Sequence, residues 1–395
     1  MSESNPLLVQ DRNIVNHKLR YFWKFMMIIS VYYVLPSLQF VFFQAHDRNV
    51  VCYYNEKCKH DLGGIPAFNN VISNMGYIIL GLVYICYIKL SRIEYFGDSL
   101  QDDTIYGVYN KKSIYYSLGL VLTLEGVYSA IYHICPSKLN FQFDTTFMFI
   151  GTALMIIVLY SKRHPLRLPH AFNVYIFLAV IVLLNILPLS GISDGREVWF
   201  WTIIYILMFY LMIVGTINVY YGTELKISKD IINNIKISKD IIVNFRPDDS
   251  RKFVFLLIAN LSSITMLVLA SYYKTKFTEW LLGLFLMNLI IYFLFYIINK
   301  ILNGEIISGR LWVYMFIDIC LFTVSLIYYE IAVTDKMLSP SNSRKLNRPC
   351  IFLDYFDYHD MWHIFSSFSI YLLMIIIYGI DDGLRKTKTE NIKIF

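Results

Sequence analysis

The sequence predicts an all-α polytopic membrane protein of about ten transmembrane helices, on three observations. Of its 395 residues, 57% are hydrophobic and only 16% charged. The apolar residues fall in runs of the length a helix needs to cross a bilayer, about 20 residues. About ten such runs leave loops too short for a second folded domain, so the expectation is one membrane domain, 21–395, behind an N-terminal tail, 1–20.

The first run, 21–43, follows a polar stretch (MSESNPLLVQDRNIVNHKLR) with no cleavable signal, so it is expected to act as its own insertion signal. The second, 67–89, opens on Asn69, Asn70 and Asn74, which would cap that helix or pack against neighbours. Runs at 114–134 and 142–160 carry ionisable groups, while 171–190 and 197–221 are almost purely apolar. After a polar loop, 222–252, come 253–272, 278–300, 311–331 and 360–380, then a tail, 381–395.

Lysine and arginine set the orientation. With the N-terminus in the cytoplasm, the inside segments hold 24 of the 35 basic residues and the outside segments 11, so both termini, loop 222–252 and tail 381–395 are expected on the cytoplasmic side. The net charge of +6 is spread over short loops, and composition alone argues for no nucleic-acid surface. Cys52, Cys58, Cys135 and Cys350 all fall in outside segments, as an oxidising outer face would produce; Cys86 and Cys320 lie within spans. Four cysteines allow three pairings, and the spacing leaves the choice open. The sequon at Asn260 lies inside a span.

Two motifs lie in the cytoplasmic segments. KISKDIINNI at 226–235 is followed by KISKDIIVNF at 236–245, a tandem duplication to which we assign no role. Glu3-Ser-Asn-Pro-Leu7-Leu8 has the form of an acidic di-leucine sorting signal and points to an endolysosomal membrane, with the plasma membrane as the alternative.

Ionisable residues at bilayer depth are costly and mark function by default. Ser129 and His133 are four residues apart and share a helix face near the outer end of the third span. Asp144 stands at the outer start of the fourth span, and His359 and His363 form another i, i+4 pair at the outer start of the last. Because the spans alternate in direction, all five side chains reach a similar depth on one side. Three neutral imidazoles leave one position of a tetrahedral zinc open, the arrangement of a catalytic site. Asp144 would then orient a histidine, ligate, or carry a proton, and Ser129 would donate to a developing oxyanion. Taken singly the bland readings win, since HxxxH pairs on helices are common and an aspartate at a helix start is usually a cap. Glu125 and Asp318 read as structural hydrogen-bonding groups, with no partner evident for Asp318. His17, His46, His60, His164 and His170 read as solvated.

The strings CYYNEKC, FNNVISNMGYIILG, EGVYSAIYHICPSKLNFQFDTTFM, LLGLFLMNLIIYFLFYII and PCIFLDYFDYHDMWHIFSS resemble, in order, the membrane block of the systemic RNA interference defective (SID) transmembrane family. That family is related to alkaline ceramidases and to the progestin and adiponectin receptors, which share a seven-helix core around an intramembrane zinc. Ser129, His133, Asp144, His359 and His363 each match the shared motif. The resemblance therefore implies a seven-helix zinc-containing core, with His133, His359 and His363 on zinc and Asp144 as ligand or proton shuttle. Family members usually begin with a large extracellular region and one further span, implicated in nucleic-acid binding and oligomerisation, and the resemblance covers the membrane block only.

Three functions follow. The resemblance implies passage of double-stranded RNA, or handling of cholesterol, across plasma or endolysosomal membranes, with homo-oligomers among the expected assemblies. The residue chemistry favours a zinc-dependent hydrolase acting on an amide or ester of a membrane lipid, with Asp144 as general base then acid and Ser129 in the oxyanion hole. The third reading makes zinc purely structural, in a receptor or scaffold.

Overall fold

The structure is a computed structural model that describes residues 20–47, 50–91, 106–108, 111–164, 170–189, 198–221, 250–273 and 276–395. The di-leucine motif, the tandem duplication and His17 lie outside these residues. Among the described residues there is no strand beyond isolated bridges, and ten helices are long and apolar enough to cross a membrane. The main helices of these spans are α1 (Phe22–His46), α2 (Met75–Leu90, the longer part of the span Phe68–Leu90), α3 (Lys112–Ile134), α4 (Thr146–Arg163), α5 (Ala171–Leu189), α6 (Val198–Tyr221), α7 (Ser250–Tyr273), α8 (Phe277–Leu302), α9 (Gly309–Glu330) and α10 (Tyr358–Gly379). The protein is thus a multi-pass membrane protein, as its composition predicts.

The second span departs from the continuous helix expected at 67–89. A one-turn helix, Phe68–Ile72, precedes α2, entered through Ala67 in the left-handed region (φ 53°). The Ser73 hydroxyl and Asn74 Nδ2 both donate to the Asn70 carbonyl, so side chains take over a backbone acceptor at the break.

Residues 193–299, with Phe395, form one compact unit and the rest of the chain another. In the first of these, polar side chains join the helices: Tyr205 to Ser271 (2.8 Å), Asn260 Nδ2 to Thr216 (3.0 Å) and Asn288 Nδ2 to Ser263 (3.3 Å). Between apolar helices in lipid, such bonds and close packing supply much of the association.

The other unit is built around α3, which packs against α1, α2, α4 and α10. Its contact with α2 runs over glycines. A Cβ at Gly81 would meet the backbone nitrogen of Thr123 at 2.6 Å and the Gly119 carbonyl at 2.8 Å, and one at Gly126 would meet the Asn74 carbonyl at 2.9 Å. Side chains there would force the helix axes apart. This close approach brings the functional turn of α3, Glu125 to His133, against the start of α2.

At the far end of the same unit lies a cluster counted above among loop charges. Lys162, Arg163 and Lys300 are buried around Glu305 and Asp381. Arg163 donates to Glu305 (2.6 Å) and Asp381 (2.8 Å), and Lys300 donates to both at 2.9 Å. Lys162 reaches the Tyr378 carbonyl at 3.2 Å, and Arg163 the Lys393 carbonyl at 3.2 Å. The expected tail is therefore packed rather than loose: Gly107 N donates to the Thr387 carbonyl and the Thr389 hydroxyl to the Gly107 carbonyl. Burial of three cations is tolerated because two carboxylates and backbone carbonyls surround them.

Removing one partner of such a cluster leaves uncompensated buried charge, at a cost of about 3–5 kcal/mol. Arg163→Ala should lower the thermal midpoint of the detergent-solubilised protein accordingly, followed by fluorescence-detected size exclusion. A midpoint equal to the parent's would mean that the cluster holds nothing together.

Candidate metal centre

The last turns of α3, the entrance of α4 and the first turns of α10 converge. Ser129 and His133 project from α3, and both are buried, at 0% and 4% exposure. Asp144 lies just before α4; that helix has Thr145 at its cap, with no side-chain capping bond. Asp144 instead turns inward, where its Oδ1 accepts the Ser129 hydroxyl and lies 3.9 Å from His133 Nε2. His363 Nε2 is 3.1 Å from His133 Nε2. The His359 ring meets both imidazoles nearly edge-on, centroids 5.2 Å from His133 and 4.5 Å from His363. One ligating atom from each of His133, Asp144, His359 and His363 falls within 4.8 Å of all the others.

All five side chains that the sequence pointed to are therefore together. Ser129 is engaged by Asp144, so it orients that carboxylate before any reactant arrives.

Would a metal fit? Zinc bonds of about 2.0–2.1 Å place adjacent tetrahedral ligands roughly 3.3 Å apart. The 3.1 Å between the two Nε2 atoms is close to that edge, and all four ligating atoms lie within 4.8 Å of one another. Three imidazoles and one carboxylate, nearly all buried, are donors suited to a zinc-like divalent ion. His363 Nδ1 and Glu125 Oε2 are buried without a hydrogen-bond partner, a costly state characteristic of functional sites. The donor set fits.

What holds the α10 histidines in place was not evident from spacing. Asp357 caps α10 and exchanges reciprocal bonds with Asp360, a capping box closed by aspartate. Asn69 and Asn70 each donate from Nδ2 to the Asp360 carboxylate, at 3.0 and 2.9 Å, and Asn55 Nδ2 donates to Asp357 at 2.9 Å. The second N–H of Asn69 goes to the Cys58 carbonyl. The three asparagines thus act across the bundle on α10, about 290 residues away in sequence. Tyr77 packs edge-on to His363, its hydroxyl 2.5 Å from Ser366 Oγ. Lys336, in the loop after α9, lies over the rings of Phe141 and Tyr132, the latter beside His133. No sequence signal pointed to Tyr77 or Lys336.

The cysteines pair as Cys52–Cys135 and Cys58–Cys350, both at this end of the bundle. Cys86 and Cys320 are free and exposed. Two histidines differ from the solvated reading. His164 is buried, capping α4, and His60 is half-buried, stacked on Tyr355. Asp318 also has a partner, the Ser369 hydroxyl at 2.7 Å, which joins α9 to α10.

A family model described as dsRNA-gated channel SID-1 matches residues 3–395. SID1 transmembrane family member 1 of Homo sapiens is 32% identical over 401 aligned residues, covering 98% of this chain and 48% of that protein. Cholesterol uptake protein 1 of Caenorhabditis elegans is 29% identical over 381 residues, covering 93% of this chain and 50% of that protein. The chain spans about half the length of the curated relatives it matches.

Leaving a buried acceptor without its hydrogen-bond donor costs roughly 1–3 kcal/mol. Asn69→Ala with Asn70→Ala, which removes the two amide donors to Asp360, should therefore destabilise the protein by about 2 kcal/mol or more on that scale, read as a drop in thermal midpoint. An unchanged midpoint would mean that these bonds do not seat α10.

Proposed function

This chain belongs to the family described as dsRNA-gated channel SID-1, and from that membership we propose that it is a transport protein admitting double-stranded RNA or a sterol into or across a membrane, around a zinc held by His133, His359, His363 and Asp144. The zinc reading is carried by one observation: four ligating atoms from three helical segments gather within 4.8 Å at a largely buried site. The cargo reading rests on the family description and on the relative described as a cholesterol uptake protein. The site end is proposed to face an oxidising compartment, extracellular or endolysosomal, because both disulfides lie there; the termini would then be cytoplasmic.

A second reading is favoured by the Ser129–Asp144 bond: hydrolysis of a membrane-lipid amide or ester. A bound zinc would supply Lewis acidity at this point. The chain's own residues would do the rest. Asp144, fixed by Ser129 and beside His133, is placed to take a proton and return it to a leaving group. Burial keeps bulk water from competing.

Two measurements test these readings. Cells lacking any relative, expressing this chain, its His363→Ala variant or empty vector, receive labelled double-stranded RNA and, in parallel, labelled sterol. We expect uptake above vector for at least one cargo, falling to vector in the variant at equal expression. Uptake equal to vector for both cargoes rejects transport by this chain. Separately, the purified protein should contain near-stoichiometric zinc by elemental mass spectrometry, lost in His363→Ala. If the second reading holds, Asp144→Asn slows lipid turnover by about a hundredfold or more, and an unchanged rate would dismiss it.

A further inference from the structure

A second set of ligating atoms lies outside the histidine centre. Cys58 and Cys350 are joined, and His60 places Nε2 3.4 Å from Cys350 Sγ. One ligating atom from each of these three residues lies within 4.8 Å of the others. His60 is held through both its backbone and its ring. Its backbone N–H donates to Asn69 Oδ1 (3.1 Å), its carbonyl accepts from Phe68 N (2.7 Å), and its ring stacks on Tyr355, centroids 4.8 Å apart. An imidazole fixed in this way against a sulfur is a ligand already in position.

We propose that Cys58, His60 and Cys350 form a redox-convertible metal site: a covalent staple when oxidised, and a two-thiolate, one-imidazole site for a soft or borderline divalent ion such as zinc when reduced. In the conversion an external dithiol supplies two electrons and two protons. The Cys58–Cys350 bond breaks as the bond within the reductant forms, leaving two thiols. The incoming metal ion replaces both thiol protons, which pass to solvent, and Nε2 of neutral His60 adds the third bond; water completes a tetrahedron. Zinc–sulfur bonds of about 2.3 Å subtend an edge near 3.8 Å, so the two sulfurs need only part by a short swing of their side chains. Either state closes the same loop between residues 292 apart. The Asn69 side chain, which bonds the Cys58 carbonyl and Asp360, can therefore keep its place in both. This site shares no ligand with the histidine centre and does not depend on its function.

Cobalt(II) reports the site, because thiolate ligation gives a near-ultraviolet charge-transfer absorption that nitrogen and oxygen ligands do not. The purified full-length protein would be titrated with cobalt without oxygen, before and after phosphine reduction. The band is expected only after reduction, at one cobalt per chain, with zinc displacing it. It should be lost in Cys58→Ser with Cys350→Ser and retained in Cys52→Ser with Cys135→Ser. His60→Ala should shift the band and weaken binding; it leaves the disulfide intact before reduction, so it still decides the question if the serine variants do not fold. No band after reduction, a band that survives loss of Cys58 and Cys350, or a His60→Ala titration matching the parent would overturn the proposal.

Discussion

The carboxyl group of Asp360 is the acceptor on which the histidine cluster depends. It receives Asn69 and Asn70 from one side and the backbone of Asp357 from its own helix, and so it fixes where α10 begins. The two α10 histidines flank it in sequence, one residue before and three after. Their rings can meet His133 only if that helix starts at the right height and rotation. The usual alternative, water around a helix end, is poorly available to a buried carboxylate, so the asparagines take its place. Their amides are suited to the task because each carries two donors, and Asn69 uses both.

Much of this was legible in the sequence, for a physical reason. Crossing a bilayer demands about 20 apolar residues in a row, a signal that needs no partner. Accordingly the expected runs 171–190 and 278–300 correspond to Ala171–Leu189 and Phe277–Leu302. The histidine pair of α10 was visible because four residues make one helical turn. Reading failed where a residue's role is set by something distant in the chain. Asn69 and Asn70 read as caps or as packing groups, and neither reading named their partner, which lies about 290 residues on. The disulfide pairing was open for the same reason. Lys162 and Arg163 read as loop charges, and nothing near them in sequence announces Glu305 or Asp381.

The two polar ends of this unit solve one problem in different ways. At the histidine end, burial is met by neutral amides on carboxylates and by cross-links. At the other, cations meet carboxylates directly, and the Tyr378 carbonyl near the end of α10 and the Lys393 carbonyl in the tail share the load; helix C-termini carry partial negative charge and favour cations. Between them, glycines let α2 and α3 approach closely.

The helix α10 is consequently stayed at both ends, at Asp357 and Asp360 above and at Asp381, just past its last turn, below. Sliding it along its own axis would break both sets of bonds at once, and spinning it would pull Asp360 off the asparagines. Piston and screw motions are therefore closed to this element. Any passage that opens beside the histidines must come from neighbours swinging around a stationary mast, with the histidine face as its fixed point.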